Sequence, residues 1–406
     1  MDAPLSRHPD LYTPLPTATS IRVIELHPVQ KDDQPITCTL HLTDLEHNTP
    51  KFHALSYTWG DPLYRYWFDE GKSTTWVQEV IIICNGLRVN VTANLECALR
   101  AICKDKLCVN QDDVQERNTQ VGLMARIYSQ ASLVISWLGP ADEDSEQAIP
   151  IMRRLNKLQC FDDMEEDQQC SIYTDFMKKA LEDDDKAKVD SISAKDFESL
   201  TRFLARKYFF RCWVLQEVML ARHIRMLCGT DILDFSELRR VALLVAWIKE
   251  HRFHETVGQA LTLPVKNNRH YDHEKAILEL FHNRWRLLNP PTTQEKTLPF
   301  TFAQLLALAR MTGCEDPKDK VFALLGIVPR GAFGLTADYG KSPEQVYIEA
   351  LRCLIDETKN LNCLSWVTDL SDIQLGSESL KTWPINQSSP PQAWATMPPR
   401  GRDWTP

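Results

Sequence analysis

Three short stretches of this 406-residue chain hold side chains that chemistry could use. The first is Tyr57, Trp59 and Gly60, two aromatic rings and a glycine at the end of an apolar run. Rings placed there offer a flat platform for a planar ligand, because open α/β sheets bind ligands beyond the carboxyl ends of their strands. The same residues also serve as core aromatics followed by a turn. The second stretch is Cys108, Asn110, Gln111 and Asp112, polar groups at a strand-to-helix turn. Their amides either bond their own backbone or ring a phosphate or ribose at a helix N-terminus, where the dipole favours anions. The third is Glu116 and Arg117, at the start of a helical pattern. Glu116 follows Asp113 by three residues, the spacing of a capping box, and Arg117 then reads as a surface arginine. As a set, Tyr57, Trp59, Gly60, Asn110, Gln111 and Arg117 are the candidates to hold a ligand.

Other chemistries find less support. Cys108 has no nearby histidine in sequence to activate it, and a thiol without such a partner is inert. Glycine-rich phosphate loops, dinucleotide fingerprints and nucleophile elbows do not occur. His251 and His254 lack a second ligand pair, so no metal site is expected. Trp213-Val214-Leu215-Gln216-Glu217 reads as a domain-closing helix with a buried tryptophan. Asp316, Asp319 and Lys320 read as a cap and an ion pair.

Several elements must position these residues. Ile21 to Leu26 and Ile36 to Leu45 alternate and read as strands, with Ile36, Cys38, Leu40 and Leu42 on one side. Asn85-Gly86 between two β-branched runs is a strong hairpin signal. Thr92 or Asn94 caps a helix through Cys103. Asp113 to Tyr128 is the clearest helix, with Val121, Met124, Ala125 and Tyr128 on its inner face. Leu133 to Leu138 is a buried strand stopped by Gly139-Pro140. Asp234 with Glu237, and Ser342 with Gln345, open two further helices. Strand and helix alternating in this order predict an α/β layer. The expected organisation is a loose arm over 1–20, an α/β core over 21–140 and an acidic variable insertion over 141–195. The core resumes with a helical extension over 196–255. A loose linker over 256–299, a helical region over 300–368 and a disordered tail over 369–406 complete it.

The net charge is −9, which argues against a general nucleic-acid binder. No apolar run reaches the roughly 18 residues of a membrane span. Twelve cysteines occur without a C-x-x-C pair. With no signal-like start, this composition reads as a reduced, cytoplasmic protein.

The motifs together resemble the fungal heterokaryon incompatibility (HET) family. Its A-L-S-Y-x-W-G opening stands at Ala54 to Gly60, and its C-I-N-Q-x-D turn at Cys108 to Asp113 with Val109 for isoleucine. The E-R-x-x-Q-V helix follows from Glu116 and runs into Trp137-Leu138-Gly139. W-V-L-Q-E stands at Trp213 to Glu217 and D-P-x-D-K-V-F-A-L-L-G at Asp316 to Gly326. The resemblance implies a TIR-like or flavodoxin-like sheet layer followed by a mostly helical half. It also implies an incompatibility effector that triggers programmed cell death by self-association or by binding a protein partner. Kinship to TIR domains implies an alternative, a glycohydrolase with NAD as substrate and Glu116 as its catalytic carboxylate, since a carboxylate near a ribose stabilises an oxocarbenium-like state. One departure stands out. The family places an L-W-I-D-A strand before C-I-N-Q, whereas this chain passes from Ile102-Cys103 through Lys104-Asp105-Lys106 to Leu107-Cys108. About five to ten residues, a strand's worth, are missing, which implies a shortened helix or an inactive remnant.

Overall fold

The structure is a computed structural model. Apart from single positions, it describes residues 14–63, 78–102, 114–157, 192–252, 301–328 and 334–361, with Leu11, Leu280 and Arg284. The Asp113 cap and the segment from Cys103 to Asp113 lie outside the described residues.

The chain folds as a mixed α/β protein with two four-stranded sheets. In the first, β1 (Ser20–Leu26) pairs antiparallel with β2 (Thr37–Asp44), as the alternation predicts. Ile36 and Cys38 are buried, but Leu42 at the far end of the expected stripe is 45% exposed. β2 runs parallel to β4 (Glu79–Cys84), which turns antiparallel into β5 (Leu87–Thr92). Asn85 and Gly86 take φ of 52° and 81°, the left-handed pair that a two-residue hairpin requires. The Asn85 side chain also accepts from Leu40 N at 2.9 Å, tying the turn to β2.

Helix α1 (Ala93–Ile102) follows, and Thr92 is its cap, accepting from Leu95 N at 3.2 Å. Asn94 has a different task. It is fully buried, accepts from the Trp137 indole at 2.8 Å and donates to Thr58 O at 2.7 Å.

In the second sheet, β3 (His53–Tyr57), β6 (Leu133–Trp137) and β7 (Ile224–Cys228) run parallel, and β8 (Asp231–Asp234) closes the edge antiparallel to β7. The sheet layer therefore does not end near Gly139, because two of its strands come from beyond residue 220. Between β3 and β6 runs α2 (Val114–Gln130), whose buried positions include Leu123, Ile127 and Tyr128. Of the expected inner face, Tyr128 is buried, while Met124 and Ala125 are half-buried.

The remaining helices build the largest core. They are α3 (Glu143–Leu155), α4 (Ala194–Leu204), α5 (Val214–Met219), α6 (Phe235–Arg252), α7 (Phe302–Arg310), α8 (Asp319–Phe322) and α9 (Pro343–Thr358). Capping boxes start α3 at Asp142, α4 at Ser193 and α9 at Ser342. Within the stretch whose composition suggests a solvated insertion, α3 buries Ala148, Ile149, Met152 and Leu155 in this core. The carboxylates there point to the helix start, where the dipole favours them. Arg206 is fully buried and donates to Leu138 O at 2.9 Å and Pro140 O at 3.2 Å while pairing with Asp142. It fixes the loop that leaves β6.

Gly326 marks the tightest junction. A Cβ built there would lie 2.6 Å from Ala125 Cβ of α2 and 2.7 Å from Gln216 Oε1 of α5. Overpacking of this kind costs about 1–3 kcal/mol. Gly326→Ala is therefore expected to lower the unfolding free energy by that amount, read as a lower denaturant midpoint, and an unchanged midpoint would mean that α2, α5 and the residues after α8 do not meet here.

Candidate functional site: a buried glutamate and its arginine

The carboxyl end of β3 carries Leu55-Ser56-Tyr57-Thr58-Trp59. Strand alternation sends Ser56 inward, and it is 1% exposed. It lies opposite Ser136 of β6 in the parallel register, as Tyr57 lies opposite Trp137. The Ser56 hydroxyl donates to the Glu217 carboxylate of α5 and shares a 2.8 Å hydrogen bond with the Tyr208 hydroxyl. Tyr208 sits on the short 3-10 turn Lys207–Phe210. Arg211, one residue beyond that turn, reaches Glu217 with both terminal nitrogens at 3.3 Å. This fork matches a planar guanidinium to the two carboxylate oxygens.

Glu217 is 2% exposed. A buried carboxylate is costly unless paired and hydrogen-bonded, and here Ser56 and Arg211, from two other segments, meet it. The Arg211 side chain remains 19% exposed. Burial works against its charge, but the neighbouring Glu217, Tyr208 and Tyr128 carry its proton affinity above the ordinary guanidinium value. Burial, then the Glu217 charge, pushes the Tyr208 and Tyr128 phenols well up. Burial pushes Tyr57 up too, against the pull of Arg211 and of a hydrogen bond from Trp59.

The sequence-derived candidates fall into three groups. Tyr57, Trp59 and Gly60 are together at this strand end. Tyr57 faces Arg211, Trp59 is 44% exposed, and Gly60 turns the chain at φ 82°. Asn110 and Gln111 lie outside the described residues. Glu116 and Arg117 fall in the first turn of α2, the helix that packs on α5; nothing in the structure bears on their side chains. Reasoning from sequence missed the functional promise of Glu217. Trp213, expected to be the buried anchor of its motif, is only half-buried, whereas Gln216 and Glu217 are buried. The available signal was the charge itself: Val214 to Ala221 is apolar except for Gln216 and Glu217, and a carboxylate in such a helix must find a partner.

Chemically, the cluster presents a cation, a phenol and an exposed indole at its mouth, with a carboxylate behind them. Trp59 and the Arg211 guanidinium reach solvent, whereas Glu217 does not. Among the described residues, no group of three or more His, Cys, Asp or Glu is placed to hold a metal ion, and no helix is long and apolar enough to cross a membrane.

The phenols give a pH test with a definite sign. The fold keeps Tyr57, Tyr128 and Tyr208 neutral, so their contribution to stability is complete below the unfolded phenol value of about 10. It is lost as pH rises through their raised folded values. Absorbance titration of the intact chain should leave these three rings un-ionised near pH 10. Ionisation of all ten tyrosines in that range, with the fold intact, would contradict their burial.

Comparison with known proteins agrees with the motif reading. The heterokaryon incompatibility protein (HET) family model matches residues 52–217. Among curated proteins, heterokaryon incompatibility protein 6, OR allele, of Neurospora crassa is 24% identical over 366 residues, covering 84% of this chain and 52% of that protein. The chain thus spans about half the length of the curated relative it matches. No solved structure matches this chain. The match opens at Phe52, just before β3, and closes on Glu217, so the stretch that is similar to the heterokaryon incompatibility family contains Ser56, Tyr208, Arg211 and Glu217, the whole of the buried cluster.

Proposed function

We propose that this chain acts in fungal heterokaryon incompatibility, as an effector that triggers cell death by self-association or by binding a protein partner. The observation that carries this reading is the coincidence of the family match with the cluster it encloses, whose outer face offers Trp59 and Arg211. Tryptophan and arginine, which here both act on Tyr57, are residue types enriched at the energetic centre of protein interfaces. Glu217 is closed in by Ser56 and Arg211, which suits a residue that positions Arg211 better than one that meets a substrate directly. The three parallel strands with α2 crossing between them are in keeping with a TIR-like layer. The domain boundaries expected from sequence, and a cytoplasmic location, belong to the same proposal.

A second reading is a glycohydrolase acting on NAD. It is favoured by a buried carboxylate at the carboxyl end of a parallel strand, next to an aromatic platform, since a carboxylate stabilises positive charge developing on a ribose. Glu217 joins Glu116 as a candidate for that role, with Asn110, Gln111 and Arg117 as candidate ligand contacts.

Inducible expression in a filamentous fungus is expected to arrest growth. Trp59→Ala, a change at a 44% exposed side chain, should abolish the arrest while the protein accumulates normally; arrest by this variant would overturn the interface reading. Purified chain incubated with NAD separates the two readings. Nicotinamide release that falls by roughly a hundredfold or more in Glu217→Gln or Glu116→Gln, the scale expected for a lost catalytic group, would favour the enzyme. Absence of release alongside growth arrest would favour assembly.

A further inference from the structure

Arg211 is held from behind by an unusual seam. It forms an isolated parallel bridge with Gly313. Cys212 N donates to Gly313 O at 3.0 Å, and Gly313 N donates to Phe210 O. The next residue on each side of this seam is a cysteine, and the thiols of Cys212 and Cys314 hydrogen-bond each other. Their surroundings differ. Cys212 is 1% exposed, whereas Cys314 is half-exposed.

We propose that Cys212 and Cys314 are a reversible thiol–disulfide pair, in which Cys314 meets a peroxide-class oxidant and Cys212 resolves it. The Cys314 thiolate attacks one peroxide oxygen. The S–O bond forms, the O–O bond breaks, and the departing hydroxide leaves as water after taking up a proton. Cys212 then attacks the sulfenic sulfur. The S–S bond forms, the S–O bond breaks and a second water leaves, so two electrons pass from the thiols to the peroxide. The asymmetry fits these roles. The Cys212 hydrogen bond, and then the Lys320 ammonium, draw the Cys314 thiol below its ordinary value against the effect of burial. Lys320 is itself fixed by donating to Ala309 O and Thr312 O. A reactive cysteine is a thiolate within reach of reagent. Cys97 and Cys353, also half-exposed, are both pushed upward, chiefly by burial.

The first sheet holds an internal contrast. Cys38 and Cys84 face each other across β2 and β4 and also share a thiol hydrogen bond. They are 3% and 5% exposed, so proximity is matched and access is not. Oxidation at the seam would tie the segment bearing Arg211 to the residues that lead into α8; its effect on the Glu217 cluster rests on the site reading above, but the bond itself does not.

The test is peptide mapping under non-reducing conditions. Full-length chain, purified reduced, is treated with hydrogen peroxide and then alkylated. The expected product is a linked pair of peptides carrying Cys212 and Cys314, lighter by two hydrogens and separated by dithiothreitol. Cys314 should label with iodoacetamide roughly tenfold faster than Cys38 or Cys84, following its greater exposure. In Cys212→Ser, Cys314 should persist as a sulfenic acid trapped by dimedone; in Cys314→Ser, Cys212 should stay unmodified. Linkage of Cys314 to another cysteine, oxidation of Cys38 and Cys84 first, or an unmodified Cys314 would overturn the proposal. The mapping reads the bond whether or not the chain arrests growth, so failure of either reading leaves the other testable.

Discussion

Burying one carboxylate constrains this fold more than any single apolar contact. Leaving Glu217 unpaired in the interior would cost several kcal/mol, so the chain must bring Ser56 and Arg211 to it, and Tyr208 to Ser56. These residues sit on β3, on the stretch following the 3-10 turn, and on that turn itself. The pairing therefore holds the end of the second sheet against the helical layer. It also sets the geometry of Arg211, the one member of the fork that reaches solvent.

Helix α5 works as a hub because neighbouring helical residues point about 100° apart. Glu217 turns toward β3, and Gln216 turns the other way, donating to Phe322 O at 3.4 Å and lying against Gly326. The helix's far end is held by Arg284, which donates to Val218 O at 2.7 Å and to Ala221 O. Six residues of helix thus connect the parallel strands, α2 and the last helical elements. The segment is short and apolar enough to look like plain packing from its sequence.

Features with a local cause were legible in the residues. The Asn85-Gly86 hairpin depends on two left-handed backbone positions, and the Ser342 cap depends on a partner three residues away. The strand ending in Trp137-Leu138-Gly139 was equally plain. Features with a distant cause were not. Glu217 looked like part of a packing helix because Ser56 is 161 residues away in sequence. Asn94 was read as a cap, since nothing nearby reveals that Trp137 needs an acceptor. The acidic composition of 141–195 suggests solvent, yet α3 keeps its charges to its first and last turns and buries the face between them. The exposure of Leu42 follows from what covers β2, which alternation alone does not encode.

The largest core runs without a break from Leu138 through Phe203, Val218, Leu238, Leu306 and Phe322 to Leu354. A fragment trimmed to the family match would end at Glu217 and strip α6 through α9 from the helices they cover. The remaining surface would be broad and oily, and aggregation in the excised piece would be easily mistaken for specific self-association.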